Sequence, residues 1–166
     1  MDWPNVHVQA RFATIDMYSR MFHFKILHNI LYLNKTLTLM QLANCPLCSF
    51  CKTTDETIEH IFSDCLVIQN IWNELENFLR PEVEIGPLDI TSAYLGPPFG
   101  TDSMICHIHL IFKIFVYKSR DSGHCSFVHL KNRIRIIRDI EFNITYGDPK
   151  RRHKNTLKWT GVAHKF

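Results

Sequence analysis

Apolar residues recur at helical spacing along most of this chain. From Thr14 to Leu33, Ile15, Tyr18, Phe22, Leu27, Ile30 and Leu31 give broad apolar cover, while Asp16, Ser19, Arg20 and His23 form one polar stripe. The spacing predicts a helix there, apolar on most sides and suited to packing against a larger body. Asn34-Lys35 breaks it, and a second short helix is expected from Leu37 to Leu42. Thr53-Thr54-Asp55-Glu56 reads as a capping box, with Thr53 as N-cap and Glu56 at the third helical position. Val67, Ile71, Leu75 and Phe78, with Trp72 and Leu79 beside them, predict a further helix that Pro81 ends.

The second half continues the pattern after an interruption. Glu82 to Gly100 is rich in proline and glycine, and Ile90–Leu95 within it reads as a short strand or extended chain. Ser103 is expected to cap an apolar helix from Met104 to Lys118. Ser126 opens another, from Phe127 to about Tyr146, with Phe127, Leu130, Ile134, Ile137 and Ile144 inside and Lys131, Arg135 and Arg138 in a row outside. Gly147-Asp148-Pro149 closes that helix. A basic tail then opens with Lys150-Arg151-Arg152-His153-Lys154 and ends in Lys158-Trp159.

The expected fold is therefore mainly α, with one short strand admitted. Three segments divide it: a helical segment over 1–43, a Cys/His-rich knuckle and following helix over 44–80, and a helical region with the basic tail over 81–166. With 166 residues, 46% of them hydrophobic, the chain can build a real core. The longest apolar stretch, Met104 to Tyr117, contains His107, His109 and Lys113 and falls short of the ~20 residues that span a bilayer. The start, Met1-Asp2-Trp3-Pro4, has neither the basic region nor the apolar block of a signal peptide. The expectation is a soluble, intracellular protein of nucleus or cytoplasm that keeps away from membranes.

Net charge, +3, hides an asymmetry. Residues 1–115 hold seven Lys/Arg against twelve Asp/Glu, and residues 116–166 hold twelve against four. A basic end on an acidic body suits a polyanion such as nucleic acid, or is simply a solvated surface. Lys131, Arg135 and Arg138 with Lys150, Arg151, Arg152 and Lys154 are the candidate phosphate contacts. Tyr146 and Trp159 are placed to stack on unpaired bases, or Trp159 anchors the tail on the body. Asp55, Glu56, Glu59, Asp64, Glu74 and Glu76 read mostly as a solvated helix face.

The chemistry concentrates between Cys48 and Cys65. Cys48-Ser49-Phe50-Cys51 is a C-x2-C pair, followed by His60 and Cys65. Two thiolates in a tight turn and a His and Cys on a following helix can close a tetrahedral zinc shell. His60 and Cys65 are five residues apart, about 500° of ideal helical rotation. The turn near Ser63-Asp64 must therefore loosen to bring both to one ion. Cys45-Pro46-Leu47-Cys48 offers a second C-x2-C register; Cys48/Cys51 is favoured for its shorter loop to His60. Six cysteines would also suit three disulfides in a secreted scaffold, but the metal spacing and the missing secretion signal favour reduced thiols. A second cluster from Cys106, His107, His109, His124, Cys125 and His129, as a metal site or a Cys/His nucleophile pair, is a remote alternative to ordinary buried or surface residues.

Phe24-Lys25-Ile26-Leu27-His28-Asn29-Ile30-Leu31, Cys48-Ser49-Phe50-Cys51, Glu56-Thr57-Ile58-Glu59-His60-Ile61-Phe62, Cys65 and Trp72 together resemble a known family. It is the zinc-binding (CCHC) region that follows the polymerase of non-LTR (LINE-type) retrotransposon reverse transcriptases. The resemblance is specific over 20–75 and looser over 90–160. It implies zinc on Cys48, Cys51, His60 and Cys65, RNA or DNA as partner, and a parent polymerase alongside, with residues 1–43 as the end of its thumb or a linker. The chain contains no adjacent Asp-Asp, the polymerase's metal-binding motif, so no polymerase or endonuclease activity of its own is expected. A nucleic-acid-binding appendage leads; a brace for the polymerase and a protein-interaction zinc domain are the alternatives.

Overall fold

The computed structural model describes residues 10–98 and 100–166. After a helical turn at residues 10–13 come α1 (Met17–Leu27), α2 (Asn34–Leu39), a π turn (His60–Asp64), α3 (Leu66–Leu79) and α4 (Ile90–Leu95). Then follow α5 (Ser103–Ser119), α6 (Phe127–Ile144), α7 (Pro149–Trp159) and a 3-10 turn (Ala163–Lys165). The fold is mainly α, and no strand occurs among the described residues; one isolated antiparallel bridge joins Leu47 to Asp55.

The hub is α5, which packs against α1, α6, α7 and the π turn. Ten of its seventeen residues are buried, so its nearly all-round apolar sequence reflects an interior helix. Asp102, one residue before the expected cap, starts it by accepting from Met104 N at 2.7 Å. Trp72 of α3 lies against Phe112 with ring centroids 4.8 Å apart and donates its indole N–H to Gly86 O at 3.1 Å. Residues from all three sequence segments contribute to one continuous core, from Phe22 and Ile26 through Phe62 and Trp72 to Ile134 and Trp159.

Five local expectations are corrected. The helix expected over 14–33 is confined to Met17–Leu27: Asp16 caps its start by accepting from Ser19 N at 2.9 Å, and Asn29 leaves it at φ 53°. Beyond it Leu31 and Leu33 are buried while Ile30 and Tyr32 face solvent, the alternation of extended chain. Helix α2 begins at Asn34, where a break was expected. Ile90–Leu95 is helical because Asp89 and Ser92 form a reciprocal capping box that local composition obscures. The basic tail is a helix, since Asp148 caps Lys150 N and Arg151 N and Pro149 occupies the first helical position.

The capping box assigned to Thr53 and Glu56 is the fifth correction. Thr57 starts the turn instead, its hydroxyl accepting from His60 N at 3.1 Å. Glu56 belongs to no solvated face: it is fully buried, accepting from Asn34 N at 3.0 Å, Ser49 N at 2.7 Å and Arg120 Nε at 2.7 Å. Arg120 also donates to Tyr32 O at 2.9 Å and Asn34 Oδ1 at 3.1 Å. A buried carboxylate is tolerable only with donors of this kind on it.

Glu56→Ala should lower stability by about 3–5 kcal/mol, because Arg120 is left buried without its partner. Chemical denaturation of the two proteins checks it. Burial alone would raise the Glu56 pKa, but the Ser49 and Asn34 hydrogen bonds and the Arg120 charge outweigh it and hold the carboxyl below its ordinary value. A depressed carboxylate stabilises the fold above its unfolded pKa and loses that stabilisation as pH falls through the folded one. Acid titration of stability should therefore be shallower in Glu56→Gln than in the native chain.

Candidate metal centre and basic surface

The knuckle is built by backbone first. Cys48 N donates to Thr54 O at 2.8 Å and Glu56 N to Pro46 O at 2.8 Å, closing the loop at its neck. Lys52 N returns to Cys48 O at 3.1 Å and Lys52 itself sits at φ 58°, so the chain turns sharply just past Cys51. On the other side Cys65 N donates to His60 O at 2.7 Å, the i→i+5 bond of a π turn. That wider turn is the loosening that the five-residue spacing demands. Gly123, at φ 62°, brings the α5–α6 loop against the knuckle; a Cβ there would meet Ser49 O at 3.3 Å.

These turns gather Cys48, Cys51, His60 and Cys65, whose ligand atoms all lie within 4.8 Å of one another. Cys48 Sγ and Cys65 Sγ are 3.9 Å apart, and Cys51 Sγ is 3.2 Å from His60 Nε2. A tetrahedron with Zn–S arms near 2.3 Å has S···S edges of about 3.8 Å, so this donor set fits zinc. Cys45 is exposed and stands outside the group. With four protein donors the shell is closed, which leaves no position for a reacting water.

The surroundings favour thiolates at Cys51 and Cys65 but not at Cys48. Phe50 N points at Cys48 Sγ at 3.4 Å, and the Thr53 hydroxyl donates to Cys51 Sγ at 3.2 Å. Without an ion, the hydrogen bond to Cys65, and then burial, push the Cys48 thiol up to about 12. Accepting that hydrogen bond, with backbone N–H groups of Ile68 and Val67 at the start of α3 also on its sulfur, brings Cys65 down to about 7 despite burial. Burial opposes protonation of His60, yet its hydrogen bonds to Cys51 and Cys48 outweigh it and raise its pKa.

The remaining Cys/His residues do not form a second centre among the described residues. His107 Nδ1 accepts from Lys158 Nζ at 2.7 Å; burial, then the Lys158 charge, keeps the imidazole neutral, so its 3.6 Å approach to Glu141 is no ion pair. His109 hydrogen-bonds Ile85 O at 2.8 Å and lies against Trp72, ring centroids 4.5 Å apart and planes tilted by 60°, and burial lowers its pKa to about 3. Lys113, fully buried against Ser92 O, is brought down to about 7 by the same cause. The His124 and His129 rings meet edge-on with centroids 6.2 Å apart.

The cations divide into two sets. Lys150, Arg151, Arg152 and Lys154 are exposed on α7, with Arg151 3.2 Å from Asp148 and Arg152 over the Tyr146 ring at 4.8 Å. Arg135 is exposed on α6, whereas Lys131 lies over Phe78 at 5.3 Å. Arg138 donates to Ala163 O at 2.6 Å and to Asp139 at 2.8 Å, holding the C-terminal turn. Trp159 is fully buried and donates to Glu141 Oε2 at 3.0 Å, so it is the anchor of α7 and is closed to base stacking. Lys158 completes that anchor with Glu141 Oε2 at 2.9 Å and Ala13 O at 2.6 Å. Sequence reasoning missed Glu141 and Arg120; each stands among other charged residues, Arg138 and Asp139 before the one and Lys118 and Asp121 around the other, and nothing local singled it out.

Residues 11–72 match the family model described as zinc-binding in reverse transcriptase. The match takes in all four ligand candidates and supports a reverse-transcriptase zinc domain over that span, a zinc-binding accessory region rather than a catalytic domain. No curated protein and no solved structure matches the chain. No helix among the described residues is long and apolar enough to cross a membrane.

The purified chain should carry one zinc per molecule by native mass spectrometry, and chelation should unfold the knuckle. Cys51→Ser should abolish stoichiometric zinc, while Cys45→Ser should retain it. Because three thiols lose protons on binding, apparent zinc affinity should fall steadily as pH is lowered.

Proposed function

We propose that this chain is a zinc-stabilised, nucleic-acid-binding appendage of a non-LTR (LINE-type) retrotransposon reverse transcriptase, holding template RNA or target DNA near the polymerase. The observation that carries it is the exposed Lys150, Arg151, Arg152 and Lys154 on a helix locked to the body by Trp159 and Glu141. A fixed cationic face presents phosphate contacts without ordering a loose tail on binding. Arg135, exposed on α6, is a further candidate phosphate contact with Lys131, while Arg138 serves the fold by holding the C-terminal turn. Zinc on Cys48, Cys51, His60 and Cys65 is structural, and the site of action is the nucleus or cytoplasm.

A second reading, a brace for the parent polymerase, has its own support. Met17, Met21 and Phe24 run along one side of α1 at 64%, 48% and 41% exposure, an apolar stripe suited to covering by another domain. In that reading residues 1–43 pack on the end of the thumb, and the isolated chain ignores nucleic acid.

Binding of the full chain to RNA and DNA oligonucleotides at low and high salt separates the two. Steeply salt-dependent binding supports the appendage; no binding at low salt sinks it. Lys150→Ala with Arg151→Ala should leave the circular dichroism spectrum and zinc content unchanged. It should weaken binding several-fold at moderate salt and lower the salt slope by about 1.4 for single strands, ~0.7 per phosphate contact.

A further inference from the structure

The inner edge of α7 borders a groove of about 610 Å³, closed on its other sides by residues 11–15 and the start of α5. Its composition is mixed in a specific way. Phe12, Ile15 and Leu157 line it as large apolar groups at 63%, 51% and 64% exposure. Arg11, Arg151 and Lys154 line it as exposed cations, and among the described residues neither Arg11 nor Lys154 is paired with a carboxylate.

The groove's two acids are already engaged. Asp102 caps α5 through Met104 N at 2.7 Å, and Glu141 is buried under Lys158 and Trp159. The net field in the groove is therefore positive over an apolar floor. Phe12 is held from behind: its carbonyl accepts from the Ser103 hydroxyl at 2.9 Å, and Arg20 braces the same turn through Thr14 O at 2.9 Å. The ring thus projects from a fixed backbone. On α7, Arg151, Lys154 and Leu157 follow one another at three-residue steps and so share one side of the helix.

We infer that this groove binds single-stranded nucleic acid, with an unpaired base against Phe12 and the flanking phosphates on Arg11, Arg151 and Lys154. The inference deepens the proposed function and rests on it. A duplex hides its base faces and offers only phosphates, so it would leave Phe12, Ile15 and Leu157 solvated. An unpaired strand presents ring faces and phosphates together, the combination that pairs aromatic platforms with cationic grooves.

The test uses the full zinc-loaded chain with a fluorescent single-stranded RNA oligonucleotide, the same sequence as a duplex, and a polyglutamate peptide as competitor. The single strand should bind more tightly than the duplex, and the peptide should displace it poorly. Phe12→Ala, at an exposed side chain, should weaken single-strand binding by about tenfold with its salt slope unchanged, as loss of one stacked base does. Lys154→Ala should lower the slope by about 0.7, the share of one phosphate contact. Single-strand binding that survives Phe12→Ala intact, equal competition by duplex, or efficient displacement by polyglutamate overturns the groove assignment. Those results require binding in the native chain, so they are distinct from the absence of all binding that would defeat the broader proposal.

Discussion

The buried carboxylate of Glu56 joins three parts of the chain that lie far apart in sequence. Its donors are the backbone N–H of Asn34 at the start of α2, the backbone N–H of Ser49 inside the knuckle, and the guanidinium of Arg120 just past α5. An ionised group at zero exposure is costly unless every lone pair is met, so the three donors stand or fall together. The consequence reaches the metal centre. Ser49 lies between Cys48 and Cys51, so the loop that carries two sulfurs is fixed to the helical body before any ion is considered. Zinc affinity and domain stability then become parts of one equilibrium, and the knuckle cannot be treated as a free-standing finger.

What could be read from the sequence follows from the range over which each interaction acts. The four ligand candidates and the need for a widened turn were legible because both depend on covalent spacing, and the π bond from Cys65 N to His60 O is the answer to a geometric problem visible in five residues. Helix α3 was legible because its apolar period is clean. Glu56 was not: Thr53 through Glu56 satisfies a local capping pattern, and the competing partner, Arg120, is 64 residues away. The stretch beyond Leu27 misled for a different reason. So many of its residues are apolar that helical and alternating periods both fit, and the alternate burial of Leu31 and Leu33 appears only against the core.

Charge was the least faithful guide. The excess of Lys/Arg after residue 116 is real, yet Arg120, Arg138 and Lys158 are consumed inside the fold by Glu56, the Ala163 carbonyl and Glu141. These residues are structural cations, and only the remainder sets the external field. Asp148-Pro149 produced the largest misreading: α6 has already ended at Ile144, and the pair taken to close it starts α7 instead. A helix in place of a tail changes the physics of any binding there. Its cations are held at fixed spacing, and the entropy cost of ordering them was met when Trp159 was buried.

Helix α5 relates these two ends of the molecule. At seventeen residues it is about 25 Å long. Arg120, next to its C-terminal end, reaches Glu56 and the knuckle, while Asp102 and His107 near its N-terminal end touch the groove and the Glu141 anchor. A helix buried along most of its length transmits position but performs no chemistry. The metal centre, closed by four protein donors, likewise has no open coordination site. The candidate metal centre and the cationic groove are thus tied to opposite ends of one buried helix. Arg120 ties the C-terminal end of α5 to the loop that carries Cys48 and Cys51, while the helix's first residues line the groove beside α7.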